Sequence, residues 1–194
     1  MTLVSPYFVP GNLGVELFRD LEKAGVEVRI LTNSLEANDV ALVHSGYAKY
    51  REALLEAGVE LYELRKFRSE NEDERRSSGG IVGSSAASLH AKTFAVDGET
   101  LFVGSFNFDP RSANLNTELG FLIQSPELAN ALESAFPGQV RLAAYEVVLD
   151  EEGELRWLEF NGAETVEHRH EPNIGVFKRA LVYLFSWLPV EPLL

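Results

Sequence analysis

The chain of 194 residues has no cysteine, so neither a disulfide framework nor a thiolate metal site can form. It is also poor in positive charge: 17 Lys and Arg stand against 30 Asp and Glu, a formal net charge of −13. Affinity for polynucleotides comes largely from clustered cations, so this balance disfavours a general nucleic-acid binder. It equally disfavours adhesion to an anionic membrane through a broad basic face. No 18 consecutive residues are apolar, so no segment reads as a membrane span. The opening "MTLVSPYFVPG" lacks a basic start and a long apolar run, and reads as a strand entered midway rather than a signal peptide.

What remains is an ordinary globular composition, 45% apolar and 24% charged, with material for a sizeable core. The length suits one large domain or one half of a larger assembly. Leu3 to Val9 reads as a buried strand that ends in a Pro/Gly turn cluster. Gly14 to Ala24 has helical spacing with Gly25 as its stop. Val26 to Thr32 reads as a second strand, residues 39–57 as a helix closed by Gly58, and Val59 to Leu64 as a third strand. That alternation implies right-handed βαβ units and a largely parallel sheet.

Residues 65–85 mix both charge signs and then turn to Ser and Gly. They read as a mobile loop, either a solvated connection or a lid beside whatever follows. A strand is expected near Leu119 to Gln124, then a helix from Pro126 to Phe136 capped by Ser125. Beyond residue 138 the pattern becomes an acidic hairpin turning at Glu151 to Gly153 and a strongly apolar terminal helix stopped by Pro189. The helix either docks on the core or lies at a lipid interface. The expected division is a catalytic half-domain over 1–138, with the hairpin and helix of 139–194 packed on it.

The chemistry concentrates between Ser88 and Phe108, "SLHAKTFAVDGETLFVGSFNF". His90 and Lys92 stand two apart, so in a strand they share a face. Asp97-Gly98 is a strong two-residue hairpin signal. A return strand from Thr100 to Val103 then brings Ser105 and Asn107 back to the same end. An imidazole, an ammonium, a hydroxyl and a carboxamide so gathered are suited to gripping a phosphate. Each residue alone has an ordinary explanation: a structural His, a solvated Lys, Ser and Asn in a turn, and an Asp that the hairpin itself requires. The joint spacing does not.

That spacing, HxKxxxxDxxxxxxGSxN, resembles the signature of the phospholipase D superfamily. "SPYFVPG", "RILTNSLEANDVALVHSGYAKYR", "LLEAGVELYEL", "GSFNFDPRSANLNTELG" and "LFSWLPVEPLL" resemble the carboxy-terminal half of bacterial cardiolipin synthases, nearest the cardiolipin synthase C branch. The resemblance implies a mixed, largely parallel α/β sheet flanked by helices, as one half of a two-half assembly. It implies phosphodiester transfer in which one His attacks phosphorus to form a phosphohistidine. A second His protonates the leaving alcohol and then activates the acceptor. No metal or other cofactor is implied. His90 matches the acid–base His of the second motif. Lys92 and Asn107 match the residues that hold non-bridging phosphate oxygens, with Ser105 in the same cradle. Glu118 matches a carboxylate that orients a site His, and Asp97 a supporting position.

His44, in "VHSGYAKY", is a candidate for substrate contact or for structure. Asn33 stands at a strand end, where α/β folds bind ligands. Arg111 is placed to reach a headgroup phosphate or to pair with Asp109 or Glu118. His168 and His170 read as coincidence rather than a metal pair. The sole HxK match is His90, so the nucleophile half is missing from these residues. The expected partners are therefore a phospholipid such as phosphatidylglycerol and either the first-motif half or a second copy, with peripheral membrane contact and no nucleic acid. A nuclease-type phosphodiesterase and an inactive half-domain are the alternatives. The expected location is the cytoplasm or the periphery of the inner membrane of a bacterium.

Overall fold

The structure is a computed structural model that describes residues 1–38, 40–66 and 89–186. Its strands are β1 (Thr2–Val4), β2 (Arg29–Asn33), β3 (Glu60–Leu64), β4 (Thr93–Val96), β5 (Thr100–Gly104), β6 (Gly120–Gln124), β7 (Ala144–Leu149), β8 (Leu155–Asn161) and β9 (Glu164–His168). They form one sheet in the order β6-β5-β4-β1-β2-β3-β7-β8-β9. The helices are α1 (Gly11–Lys23), α2 (Ala41–Ala48), α3 (Arg51–Glu56), α4 (Pro110–Asn114), α5 (Pro126–Ala135), α6 (Arg141–Ala143) and α7 (Val176–Ser186), with a π-turn over Phe136–Val140.

The first three strands are apolar on both faces because helices cover both. Leu3, Ile30, Leu61 and Val147 lie in register on one face and are buried with Phe8, Phe18, Tyr47 and Leu54. Val4, Leu31 and Tyr62 face the other way, against Leu132, Phe136 and Val140. Each such side chain contributes about 1.5–3 kcal/mol by leaving water. Continuous apolar strands of this kind are what a doubly covered sheet requires.

The mixed α/β class holds, but the sheet is not largely parallel. Only β1–β2 and β2–β3, joined by helical crossovers, pair in parallel. Apart from an isolated parallel bridge between Phe8 and Phe108, the other pairings among the described residues are antiparallel. The chain leaves β3 for the opposite side of β1, builds the meander β4-β5-β6, then returns to set β7-β8-β9 beside β3. The helix expected over 39–57 divides into α2 and α3 at Lys49–Tyr50, where Tyr50 turns into the core. Ser125 caps α5 by accepting from Leu128 N. From residue 67 onward, the loop expected over 65–85 lies outside the described residues, as does Pro189. Among the described residues no helix is long and apolar enough to cross a membrane.

Candidate active site

The β4–β5 hairpin turns at Asp97 (φ 54°) and Gly98 (φ 62°), a left-handed pair closed by Glu99 N donating to Val96 O at 3.1 Å, and with Glu99 they separate the paired Val96 and Thr100. Its other end carries the chemistry. Thr93 pairs with Val103, and Gly104 N donates to Lys92 O at 3.1 Å, so Lys92 and Ser105 leave the sheet together. Asp97 is five residues from Lys92, about 16 Å away along β4 at roughly 3.3 Å per residue. Its place in the site is thereby corrected: the turn conformation accounts for it. Asn130 and Glu133 of α5 hold Gly98 rather than anything near Lys92.

His90 and Lys92 precede β4, so strand alternation is not what aligns them. Lys92 Nζ instead curls back and donates to the His90 carbonyl at 2.9 Å. The His90 ring is exposed and has no hydrogen-bond partner among the described residues. Burial pushes the half-buried Lys92 ammonium below the usual lysine range, and Glu118 and Asp109 pull it part of the way back. A cation held among partial countercharges, and not fully neutralised by them, is suited to an incoming anion.

Ser105 locks the end of β5 to the segment before β6. Its N–H donates to Leu119 O at 2.9 Å, its hydroxyl accepts from Leu119 N at 3.0 Å, and the hydroxyl donates to Glu118. The Ser105 hydroxyl and then the Asn116 amide, 3.1 Å from Oε1, hold the Glu118 carboxyl below its usual range. Glu118 therefore orients no His within this chain. Asn107 Oδ1 is buried with no partner, and the Asn107 side chain makes no hydrogen bond among the described residues. Its loop is fixed regardless: Phe108 N donates to Ser5 Oγ at 3.0 Å and Val9 N to Phe108 O at 2.7 Å.

The glycine in the pattern has a steric reason. Phe102 stacks on Phe94 at 4.8 Å and 9°, and its ring lies over the Gly104–Gly120 pair. A Cβ on Gly104 would meet Leu119 O at 2.6 Å and the Phe102 ring at 2.7 Å.

Two residues near the site carry roles that their sequence context did not signal. Asp109 caps α4 by accepting from Ser112 N at 2.6 Å; burial pushes its carboxyl up, and this hydrogen bond opposes the rise. Asn116 bridges Arg111, whose Nε is 3.4 Å from its Oδ1, and Glu118. Arg111 thus pairs with an amide; neither expected ion pair, with Asp109 or with Glu118, is present.

Asn33 is buried and cannot touch a substrate. Its Nδ2 donates to Pro6 O at 3.2 Å and its Oδ1 accepts from Leu89 N at 2.8 Å, immediately before His90. His44 is likewise buried, away from the hairpin, in a polar network. Arg51 donates through Nε to Glu63 at 2.8 Å and through Nη1 to Glu171 at 2.8 Å, while its Nη2 lies 2.7 Å from His44 Nε2. Tyr47 and Trp157 donate the remaining hydrogen bonds to Glu63. Burial pushes the His44 imidazole down, and the nearby Arg51 adds to that. His44 therefore ties α2 to the segment before α7 and is no substrate contact. The sole hint of this network in the sequence was a glutamate, Glu63, inside an apolar strand.

A family model described as cardiolipin synthase, PLD-like domain matches residues 1–139. Cardiolipin synthase C of Escherichia coli K12 is 47% identical over 192 residues, which are 99% of this chain and 40% of that protein. A cardiolipin synthase of Listeria monocytogenes is 31% identical over 134 residues, 69% of this chain and 23% of its own. The chain thus spans well under half the length of these relatives. Among solved structures, phosphatidylserine synthase of Haemophilus influenzae Rd KW20 aligns over 99% of this chain and 40% of its own (TM-score 0.56, 16% identity). The phospholipase D family member Nuc of Salmonella typhimurium aligns over 76% and 82% (TM-score 0.54, 17% identity). At such identities these two speak to the fold alone.

Proposed function

The chain belongs to the phospholipase D-like family of the cardiolipin synthases, and from that premise we propose that it supplies the acid–base half of a phosphatidyl-transferring site. The observation that carries this reading is the far end of the hairpin: Lys92 donates to the His90 carbonyl at 2.9 Å without an ion-pair partner among the described residues, with an unengaged Asn107 amide on the adjoining loop. Lys92 and Asn107 meet the non-bridging oxygens of a phosphodiester, where charge builds in the transition state. His90 gives its proton to the leaving alcohol and then takes one from the acceptor. Glu118 and Ser105 hold the cradle's shape.

A nucleophile must come from elsewhere, and the β6 edge is where we place its carrier. Leu115, Leu119, Phe121 and Leu122 are each more than 60% exposed, directly beside Glu118. An edge strand that has no outer partner among the described residues and is apolar on both faces requires a cover. The cover is the first-motif half of a longer protein, consistent with relatives more than twice this length. A second copy of this chain is the competing partner.

The substrate is a phospholipid phosphodiester such as phosphatidylglycerol, and the product a cardiolipin. Net charge −13 argues against a polynucleotide. The test is turnover by this chain combined with a first-motif half, offered phosphatidylglycerol or single-stranded DNA. Conversion of the lipid supports the reading. Cleavage of DNA with the lipid untouched overturns it in favour of a nuclease.

A further inference from the structure

On the flank of the sheet opposite the hairpin, Arg169, His170 and Arg179 border two adjoining cavities of about 710 and 520 Å³. The cavities lie among α3, β8, the segment after β9 and α7. None of the three side chains has an acidic partner among the described residues. In a chain with 30 acids and 17 Lys and Arg, such pairing would be the easy outcome. The neighbouring arginines are in fact satisfied: Arg51 by Glu63 and Glu171, and Arg156 by Asp150 and Glu167. Arg179 Nε is buried with no acceptor among the described residues, a costly condition that an arriving oxyanion relieves.

Carboxylates are present on these walls but are turned elsewhere or lie apart. Glu171 is taken by Arg51 and His44, and Glu167 by Arg156. Glu52 and Glu154 line the larger cavity only. The same rim is amphipathic. Helix α7, which contributes Arg179, exposes Val176, Phe177, Tyr183 and Leu184, with Phe177 95% exposed. A free phosphate would satisfy these donors and leave that apolar face in water. A phospholipid satisfies both.

We propose that Arg169, His170 and Arg179 form a second phosphate site, which seats the headgroup phosphate of a membrane phospholipid while the exposed face of α7 lies against its acyl region. Four strands separate this flank from β4, roughly 24 Å at about 4.8 Å per strand. The site therefore works independently of the hairpin chemistry. It explains how an acidic protein is held on a lipid surface without a broad basic face.

The test uses the full chain carrying Lys92→Ala and Asn107→Ala, so that the hairpin cradle adds nothing. Calorimetric titration compares dihexanoyl phosphatidylglycerol, below its micellar concentration, with inorganic phosphate. The expected result is lipid binding tighter than phosphate binding. Arg169→Gln with His170→Gln, both exposed positions, should weaken both ligands by about tenfold or more, the scale of losing charge-assisted hydrogen bonds. Phe177→Glu should weaken the lipid alone. Phosphate binding as tightly as the lipid would make this a free-phosphate site and overturn the lipid assignment. No binding, or lipid affinity unchanged by the Arg169/His170 pair, would overturn the site itself.

Discussion

The Asn33 carboxamide accepts the Leu89 N–H at 2.8 Å, which joins the end of β2 to the residue that precedes His90. The same amide donates to Pro6 O, so one buried side chain fixes two segments at the mouth of the site. Asn33→Ala leaves both backbone groups unmet and should cost about 1–3 kcal/mol of stability. Asn33→Asp keeps the acceptor but sets a buried carboxylate against Pro6 O, so it should cost at least as much. In the assembled enzyme a positioning role predicts a lower kcat with KM little changed, since Asn33 touches no substrate. Denaturant titration and steady-state kinetics check the two parts.

Gly120 faces the Phe102 ring so closely that an added Cβ would lie 2.2 Å from it. The ring cannot retreat freely, because Phe94 is stacked on its other face. Gly120→Ala should therefore destabilise by about 1–3 kcal/mol, as overpacking does. The midpoint of thermal unfolding falls by roughly 2–12 °C for a chain of this size. Gly138→Ala, where nothing lies within 4 Å, is the control and should leave the midpoint within a degree or two.

Ser105 is the first support of the ionised Glu118. A hydrogen bond to the charged form lowers a carboxyl pKa, so Ser105→Ala should move Glu118 upward, towards the ordinary carboxylate range. Carbon-detected NMR titration of the Glu118 carboxyl reads this directly. An unchanged value would mean that Asn116 alone suffices.

Burial pushes the Glu171 carboxyl up, but Arg51 and His44 outweigh it and hold the group at about 2. Its folded pKa lies below its unfolded value near 4.5. The stability it contributes is therefore full above about pH 4.5 and disappears as the pH falls to 2. The contribution is on the order of 3 kcal/mol, at about 1.4 kcal/mol per pKa unit. Glu171→Gln should lower stability at pH 7 and flatten the fall between pH 4.5 and 2. Chemical denaturation across that range decides it.

Much of this was legible in the residues. The spacing from His90 to Asn107 marked the hairpin and its phosphate-gripping end because Asp-Gly sets a turn locally, with no help from distant packing. The Asp-Gly pair also hid the fate of Asp97, since its turn role and its place in the pattern predict the same residue. Sheet direction was not legible. Nothing in β4 says that it must lie beside β1 rather than β3, and that choice makes the sheet mostly antiparallel. β9 went unseen because Val166 is its one apolar residue and β8 its one partner. The break between α2 and α3 carries neither Gly nor Pro; it comes from Tyr50 entering the core. His44 and Asn33 looked like site residues by position, whereas burial makes one a network member and the other a brace.

The central claim is that His90 performs the proton transfers of a phosphatidyl transfer completed by a second half. Its most direct test is the rate at which the chain, paired with a first-motif half, converts phosphatidylglycerol to cardiolipin with His90 intact or as His90→Ala. The account predicts turnover that requires both halves and a fall of about 10²–10⁴-fold in the variant, the worth of a positioned acid–base group. Turnover that survives His90→Ala near its original rate would contradict it.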